Sequence, residues 1–406
     1  MSAATCPFCG LACDDLGIAN GVVDTKGCAK AAVGFARADA ARRPHAIAGQ
    51  PADLAAALAE AVAILRRSAR PVFHGLTADI DGVRALLALS DRTGGIVDHR
   101  NSAGLLANAG VARASGWVAA TFGEVANRAD FVLLVGSDPA RNFPRFYERL
   151  IRNETPLYRK AVPAVAYLGP STLAPVAGAT SLQAIVAEAN LLPALAALGA
   201  LLHDRPYVAD GLPAAELAAI AAQLKTARYG VIAWDVSALA PDEAEYVVER
   251  LASLLRHLNI ETRCVGLPLG GSGNGLGAQQ AALWQAGWPL RIGFGAGAPR
   301  HDPWRYDARR MLEEGEADAL VWVATLVPEP PPLNVLPMIA IVSDDVELPS
   351  PAAVELRVGI PALDHHSEII RSDNIIALPV QATRPSDRPS VAEIARALLQ
   401  ALEAKP

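Results

Sequence analysis

The stretch ADFVLLVGSDP, residues 129–139, gives the first indication of the fold. Its apolar run, residues 131–135, is followed at once by Gly136, Ser137 and Asp138. A strand that is apolar throughout predicts burial on both faces, as in a parallel sheet covered by helices. Because α/β sheets bind ligands at the carboxyl ends of their strands, these three residues are predicted to line a ligand-binding loop.

Helical and strand patterns alternate on both sides of this stretch. The pattern includes an Ala/Leu-rich helix at 52–69, a strand near RPVFHG, a helix at 241–259 and a last helix within SVAEIARALLQALEA. Such alternation predicts an α/β fold with parallel sheets covered on both faces. We expect a small Cys-rich domain at residues 1–48 and two doubly wound parallel-sheet domains, at 49–205 and 206–406. The boundary at 206–406 also allows the C-terminal part of the second domain to pack as part of the first domain.

Composition excludes several classes of protein. The chain has 406 residues, enough for two or three domains, and its 52% hydrophobic and 19% charged residues exclude general disorder. The net charge is -6 and no basic block occurs, so we expect no nucleic-acid partner. No secretory signal pattern and no apolar run of about 18 residues is found, which predicts a cytoplasmic chain without a membrane span.

Four of the five cysteines lie in the first 28 residues, at Cys6, Cys9, Cys13 and Cys28. Four thiolates can complete a tetrahedral set, and both zinc and a 4Fe–4S cluster accept such a set. Spacing alone does not choose between the two metals. The missing second Cys-x2-Cys knuckle favours a cluster site, present or ancestral. The alternative is a group of free cysteines or a disulfide pair.

A second candidate ligand loop is GGSGNGLG, residues 270–277, which has five glycines in eight residues. It precedes a helix that we expect to begin near Leu276. Such a loop can present backbone N–H groups to an anion, and Gly271 and Asn274 are its predicted cofactor-binding residues. The loop lacks the GxxxxGK[ST] pattern of a P-loop. The alternative is a flexible turn that binds no ligand.

These motifs together resemble one family. CPFCGLACDD followed by Cys28 resembles the opening of the B subunit of formylmethanofuran dehydrogenase, a molybdopterin oxidoreductase related to formate dehydrogenases. GSDPARNFPRF at 136–146 is similar to a segment that contacts a pterin guanine dinucleotide in that family, and residues 270–289 and 358–379 match further pterin-lining segments. The resemblance implies the fold of formate dehydrogenase and DMSO reductase-like proteins without their C-terminal barrel domain.

The chain departs from that family where the family's metal is held. Active members carry a cysteine or selenocysteine that ligates molybdenum or tungsten, but residues 97–110 read VDHRNSAGLLANAG, without cysteine. The C-terminal motif reads HSEIIRSD and places His366 and Ser367 where the family has glutamate and glycine. The resemblance therefore implies that the bis-pterin metal cofactor is absent and that no catalytic residue remains. The pterin-site positions would be vestigial, namely Gly136, Ser137, Asp138, Gly271 and Asn274.

This pattern of loss resembles the B subunits of bacterial formyltransferase/hydrolase complexes. Those complexes move a formyl group from tetrahydromethanopterin to methanofuran and hydrolyse it to formate, in the formaldehyde oxidation of methylotrophs. The resemblance implies a redox-inactive structural subunit whose partners are the hydrolase (A), transferase (D) and C subunits, with the methanofuran carrier nearby.

Two alternatives remain open on the sequence. One is an active molybdenum or tungsten subunit that uses Asp98, His99 or Ser102 as a ligand. The other is an unrelated α/β binding protein with a zinc knuckle. Trp284, Trp288 and Trp304 are interpreted as packing or subunit-interface anchors rather than catalytic groups.

Overall fold

The structure, a computed structural model, describes residues 2–19, 21–208, 210–332 and 336–404. The chain forms two compact units. Unit 1 combines Met1–Ser102 with Gly271–Pro406, and unit 2 is the intervening segment Ala103–Gly270. This division differs from the expected domains at 1–48, 49–205 and 206–406.

The elements of the two units are numbered in chain order. The strands are β1 (Ser2–Ala4), β2 (Leu16–Ala19), β3 (Val22–Asp24), β4 (His45–Ile47), β5 (Gln50–Ala52), β6 (Pro71–Thr77), β7 (Ile96–Val97), β8 (Phe131–Val135), β9 (Ala164–Gly169), β10 (Ser181–Ile185), β11 (Gly230–Asp235), β12 (Cys264–Leu269), β13 (Ile292–Gly293), β14 (Arg300–His301), β15 (Ala319–Ala324), β16 (Met338–Val342), β17 (Val354–Arg357), β18 (Ser367–Ile370) and β19 (Ala377–Val380).

The α-helices are α1 (Ala29–Ala36), α2 (Leu54–Arg67), α3 (Ile80–Thr93), α4 (Ser102–Ala114), α5 (Phe122–Arg128), α6 (Leu191–Leu202), α7 (Ala214–Thr226), α8 (Ala244–Leu258), α9 (Gly275–Ala286), α10 (Ala308–Glu313) and α11 (Val391–Glu403). Short 3-10 helices occur at Arg37–Asp39, Pro139–Arg141, Glu188–Asn190, Val236–Ala238 and Ser272–Asn274, and a π-helix at Tyr147–Ile151.

Unit 2 is built on a five-stranded parallel sheet, counted over the described residues, with the order β10-β9-β8-β11-β12. The strand β8 is buried along its whole length, as its apolar sequence predicts. The hydrophobic core of unit 2 contains Leu133, Ile232 and Trp234 together with residues of α6, α7 and α8. The strand order reverses between β8 and β11, so the loops that follow these two strands flank a crevice.

Unit 1 contains a nine-stranded sheet, again within the described ranges, with the order β14-β13-β7-β6-β15-β16-β17-β4-β5. Its five central strands run parallel, in the order β7, β6, β15, β16 and β17. Antiparallel strands flank them on both edges. The mixture of parallel sheets and helices confirms the α/β class. The strands β1, β2 and β3 of the cysteine segment form a separate small sheet.

The two compact units differ from the expected domains for a topological reason. β6 pairs with β15, more than two hundred residues later in the chain, and β8 pairs with β11. Consecutive strands usually become neighbours in one sheet, which is the rule behind the prediction of a first domain at 49–205. Here the chain leaves unit 1 near residue 102 and returns near residue 271, and β4 joins the large sheet although it lies within the predicted 1–48 segment.

Among the described helices, none is long and apolar enough to cross a bilayer.

Candidate functional site

Unit 2 has a cavity of about 340 Å³ at the point where its strand order reverses. The loop after β8 contributes Gly136, Ser137 and Asp138, so the structure brings these three predicted residues together in one cavity. The loops after β9 and β11 supply other walls, including Ser171 and Leu239. This position is where open α/β sheets bind ligands.

Gly136 is required by the shape of this loop. Its φ is +82°, and a Cβ at this position would lie 2.7 Å from the Cδ2 atom of Leu239. A side chain would therefore meet both backbone strain and a collision. The absence of a side chain here lets the loops after β8 and β11 approach each other closely.

Asp138 is held in position by two donors. Its Oδ1 atom accepts hydrogen bonds from the backbone N–H of Ala140 at 2.9 Å and from the hydroxyl of Tyr147 at 3.0 Å. Burial and the negative charge of Asp138 raise the pKa of Tyr147, which keeps this phenol protonated as a donor. The arrangement offers hydrogen-bond acceptors to a ligand in the cavity, but it supplies no nucleophile paired with a base.

The other two predicted cofactor residues lie in unit 1. Gly271 has a φ of +79° at the start of the short helix Ser272–Asn274. Asn274 is buried, and its Nδ2 donates to the Ala78 carbonyl at 3.0 Å while its Oδ1 accepts from the Ile370 N–H at 3.0 Å. The side-chain amide of Asn274 thus joins the loop after β6 to the strand β18.

The segment that lacks the family's cysteine folds into a buried polar network in unit 1. The Ser102 hydroxyl donates to Asp98 Oδ1, and the Ala308 N–H donates to Asp98 Oδ2 at 3.0 Å. The Arg291 guanidinium lies 3.6 Å from Asp98 Oδ2 and forms a 2.6 Å ion pair with Asp307. Burial raises the pKa of Asp98, and electrostatic interaction with the neighbouring His74 and Arg291 opposes that change.

His99 is fully enclosed beside this network, with 1% of its surface exposed. Its Nδ1 accepts from the Asn101 N–H at 3.0 Å, and its Nε2 faces the Gly273 carbonyl at 3.5 Å. Burial lowers the pKa of His99 to about 3. The imidazole is therefore neutral, and both ring nitrogens already have partners within the chain.

These contacts test whether residues 98–102 fit a molybdenum or tungsten ion. The soft thiolate that such a site uses is missing from the sequence. The polar side chains present instead already have partners in the chain. Asp98 pairs with Arg291 and accepts a hydrogen bond from Ser102, and His99 is hydrogen-bonded by backbone groups. The segment therefore does not fit a molybdenum or tungsten ion.

The cysteine segment has some features of a thiolate site. All four cysteines are buried, and the structure joins none of these four in a disulfide. Backbone N–H groups of Phe8 and Leu11 point at the sulfurs of Cys6 and Cys9, although burial dominates and raises the pKa of both thiols. Over the described ranges, however, no three His, Cys, Asp or Glu side chains are grouped closely enough to hold a metal ion.

Sequence reasoning missed a buried arginine at the carboxyl edge of the large sheet. Arg37 donates to the Thr325 carbonyl at 2.6 Å and to the Ser343 hydroxyl at 3.0 Å, and it pairs with Asp345 at 2.7 Å. Thr325 and Ser343 directly follow β15 and β16, so the guanidinium fills part of the edge where ligands bind in such sheets. No local signal marks it, because its partners lie about three hundred residues away.

Comparison with known proteins adds the family. No family model matches the chain. It is 32% identical over 358 residues to the B subunit of the formyltransferase/hydrolase complex Fhc of Methylorubrum extorquens, covering 87% of this chain and 95% of that protein. It is 24% identical over 343 residues to the B subunit of the tungsten-containing formylmethanofuran dehydrogenase 2 of Methanocaldococcus jannaschii, covering 79% of this chain and 78% of that protein.

A solved structure gives the same relationship. The crystal structure of the formyltransferase/hydrolase complex FhcABCD from Methylorubrum extorquens with methylofuran contains a chain that superposes with a TM-score of 0.77 at 28% identity. The match covers 88% of this chain and 98% of that one. The family resemblance expected from the sequence is thereby confirmed: this chain belongs to the family of the formyltransferase/hydrolase complex B subunit, which is similar to the formylmethanofuran dehydrogenase B subunit.

Proposed function

We propose that this chain is a redox-inactive, structural B subunit of a formyltransferase/hydrolase complex. The complex would transfer the formyl group of formyl-tetrahydromethanopterin to methanofuran and hydrolyse it to formate in the cytoplasm. The hydrolase (A) and transferase (D) subunits would carry the chemistry, with the C subunit as a further partner. This chain would hold the assembly together near the methanofuran carrier.

Similarity along the chain supports the assignment of partners. The relative of known structure is part of an FhcABCD assembly crystallised with methylofuran, and this chain matches 98% of the aligned subunit. The match leaves no large part of the relative's subunit without a counterpart in this chain. We therefore assign the same classes of partner to this chain.

The observation that carries the redox-inactive assignment is the closed network at residues 98–102. In a dehydrogenase of this family the bound metal supplies the two-electron redox step. Here Ser102 donates to Asp98, Arg291 balances the charge of Asp98, and His99 is neutral and enclosed. Such a network stabilises the fold of unit 1 and leaves no ligand for that metal.

Activity of the assembled complex tests this function. We expect the purified complex to transfer and hydrolyse the formyl group without any electron acceptor. The variant Ser102→Ala should leave the rate per assembled complex unchanged, because Ser102 takes no part in the chemistry. Oxidation of formyl-methanofuran coupled to a viologen dye, lost in Ser102→Ala, would instead establish the active dehydrogenase alternative.

The four N-terminal cysteines carry a separate proposal, that they hold a 4Fe–4S cluster or zinc. The donor set and the N–H groups directed at Cys6 and Cys9 support it, whereas the sulfurs have to come closer together to enclose a metal. We expect iron with acid-labile sulfide, or one zinc, in the native assembly, and loss of that metal in Cys9→Ser. Cys264→Ala is the control, because Cys264 lies in unit 2. Equal metal content in both variants, or none in the native assembly, would show that these cysteines hold no metal.

A further inference from the structure

We propose that an exposed apolar surface of unit 1 is the docking surface for another subunit of the complex. The surface consists of Leu283, Trp284, Trp288, Ile375 and Ile376, and is called the tryptophan–isoleucine patch. The partner it fits presents an apolar pocket with carboxylates at its rim. This inference rests on the proposed function, since it assumes that the chain works within a larger assembly.

The patch joins two elements that a hydrogen bond holds side by side. Gln280 on α9 donates through Nε2 to Asn374 Oδ1 at 3.0 Å, and Asn374 lies in the turn between β18 and β19. Trp284 is one helical turn beyond Gln280, and Ile375 and Ile376 directly follow Asn374. The apolar side chains of helix and turn therefore lie on neighbouring parts of one surface.

The exposure of these side chains is unusual for a chain with an otherwise well-filled core. Trp284 is 61% exposed, Trp288 is 42% exposed and Ile375 is 63% exposed. Most of α9 before Leu283 is buried, and the helix exposes large apolar groups at its C-terminal end. Contiguous exposed apolar groups mark interaction surfaces, and tryptophan is among the residues that most often dominate binding energy.

The charge beside the patch indicates the character of the partner. Trp288 stacks on His301 with ring centroids 5.7 Å apart, and the neighbouring Arg300 is exposed and makes no ion pair with any described residue. Trp304, three positions after His301, is 67% exposed, and the Arg310 guanidinium over its ring is neutralised by a 2.7 Å ion pair with Glu316. Arg300 is therefore the cation beside the patch that a carboxylate at the rim of the partner complements. A two-fold dimer through the patch would add like charges to each side of its interface, so electrostatics favours a different subunit.

Assembly of the full complex from co-expressed subunits tests the patch. Trp284→Glu should weaken association of this chain with the other subunits by at least about 30-fold, as loss of a dominant interface residue does. Tyr246→Glu is the matched control, because Tyr246 is an aromatic residue of unit 2 that is 62% exposed. Ile375→Glu should reproduce the defect from the second element. Thermal unfolding of each purified variant confirms that the fold is retained.

The outcomes separate this proposal from the proposed function. If the wild-type chain assembles and Trp284→Glu and Ile375→Glu assemble as well as Tyr246→Glu, the patch is not a docking surface although the function stands. If the wild-type chain joins no other subunit, the proposed function itself is overturned. A dimer of this chain alone that Trp284→Glu abolishes would assign the patch to a second copy and overturn the proposed partner.

Discussion

His99 is the buried residue whose titration gives the clearest consequence for stability. Its pKa is lowered to about 3 by burial, whereas an unfolded histidine titrates near 6.5. Between these values the unfolded chain binds more protons at this position than the folded chain. The free energy of unfolding must therefore fall as the pH drops from about 6.5 towards 3, and His99 is the group responsible for this part of the decrease.

We predict that His99→Gln removes this part of the pH dependence. The wild-type chain should lose about 3 kcal/mol of unfolding free energy between pH 7 and pH 4 through His99, at roughly 1.4 kcal/mol per pKa unit. Urea unfolding of the full chain at both pH values measures the difference between variant and wild type. His366→Gln, an exposed histidine, should keep the wild-type dependence. An identical pH dependence in His99→Gln would mean that the imidazole is not held neutral.

At the level of residues, some of the site was predictable from the sequence and some was not. The family resemblance indicates which segment holds the metal in active members. The sequence therefore shows both that residues 97–110 lack a cysteine and that Asp98, His99 and Ser102 are the candidates there. Arg291, which lies near Asp98, is not visible, since nothing local distinguishes it from a surface arginine. Likewise, the two backbone partners of Asn274 come from β18 and the loop after β6 and could not be foreseen.

At the level of elements, β6 shows how one glycine determines the geometry of a central strand. Gly75 has a φ of +83°, and its pairing with β15 shifts register between Trp322 and Ala324. A Cβ on Gly75 would lie 2.5 Å from the Val323 carbonyl oxygen. The irregularity precedes Thr77, whose carbonyl accepts hydrogen bonds from Thr325 and Leu326.

We predict that Gly75→Ala destabilises unit 1 by roughly 3 kcal/mol, because a methyl group must displace backbone as well as adopt a left-handed conformation. Gly297→Ala separates the two effects: Gly297 has a φ of +78° but no atom within 4 Å of the position that a Cβ would take, so it should cost only about 1 kcal/mol. Urea unfolding of the full chain measures both. Equal losses in the two variants would show that backbone strain alone accounts for the effect.

Most elements follow from local sequence. The apolar run at 131–135 is β8, the Ala/Leu-rich segment at 52–69 contains α2, and the helix expected near Leu276 is α9. The predicted and observed elements agree because the periodicity of apolar residues indicates which face of an element is buried. Gly136 and Gly271 lie in different units because of the topology of the chain, and no local sequence pattern indicates this separation.

At the level of the whole molecule, the chain inserts one α/β unit into another. Residues 103–270 form unit 2, and the segments before and after it together form unit 1. The sequence predicts two α/β units but divides them at residue 205, because apolar patterns do not specify which strands pair across long separations. Family membership, by contrast, is recognisable from the cysteine segment and the two glycine-containing loops taken in order.

As a redox-inactive B subunit, the chain is proposed to assemble into its complex without a molybdenum or tungsten cofactor. Elemental analysis by mass spectrometry of the intact native complex, purified from cells grown with both metals, measures this directly. We predict that neither metal is present in a stoichiometric amount while the complex transfers and hydrolyses formyl groups. One tungsten or molybdenum per copy of this chain, together with a bound pterin, would contradict the account.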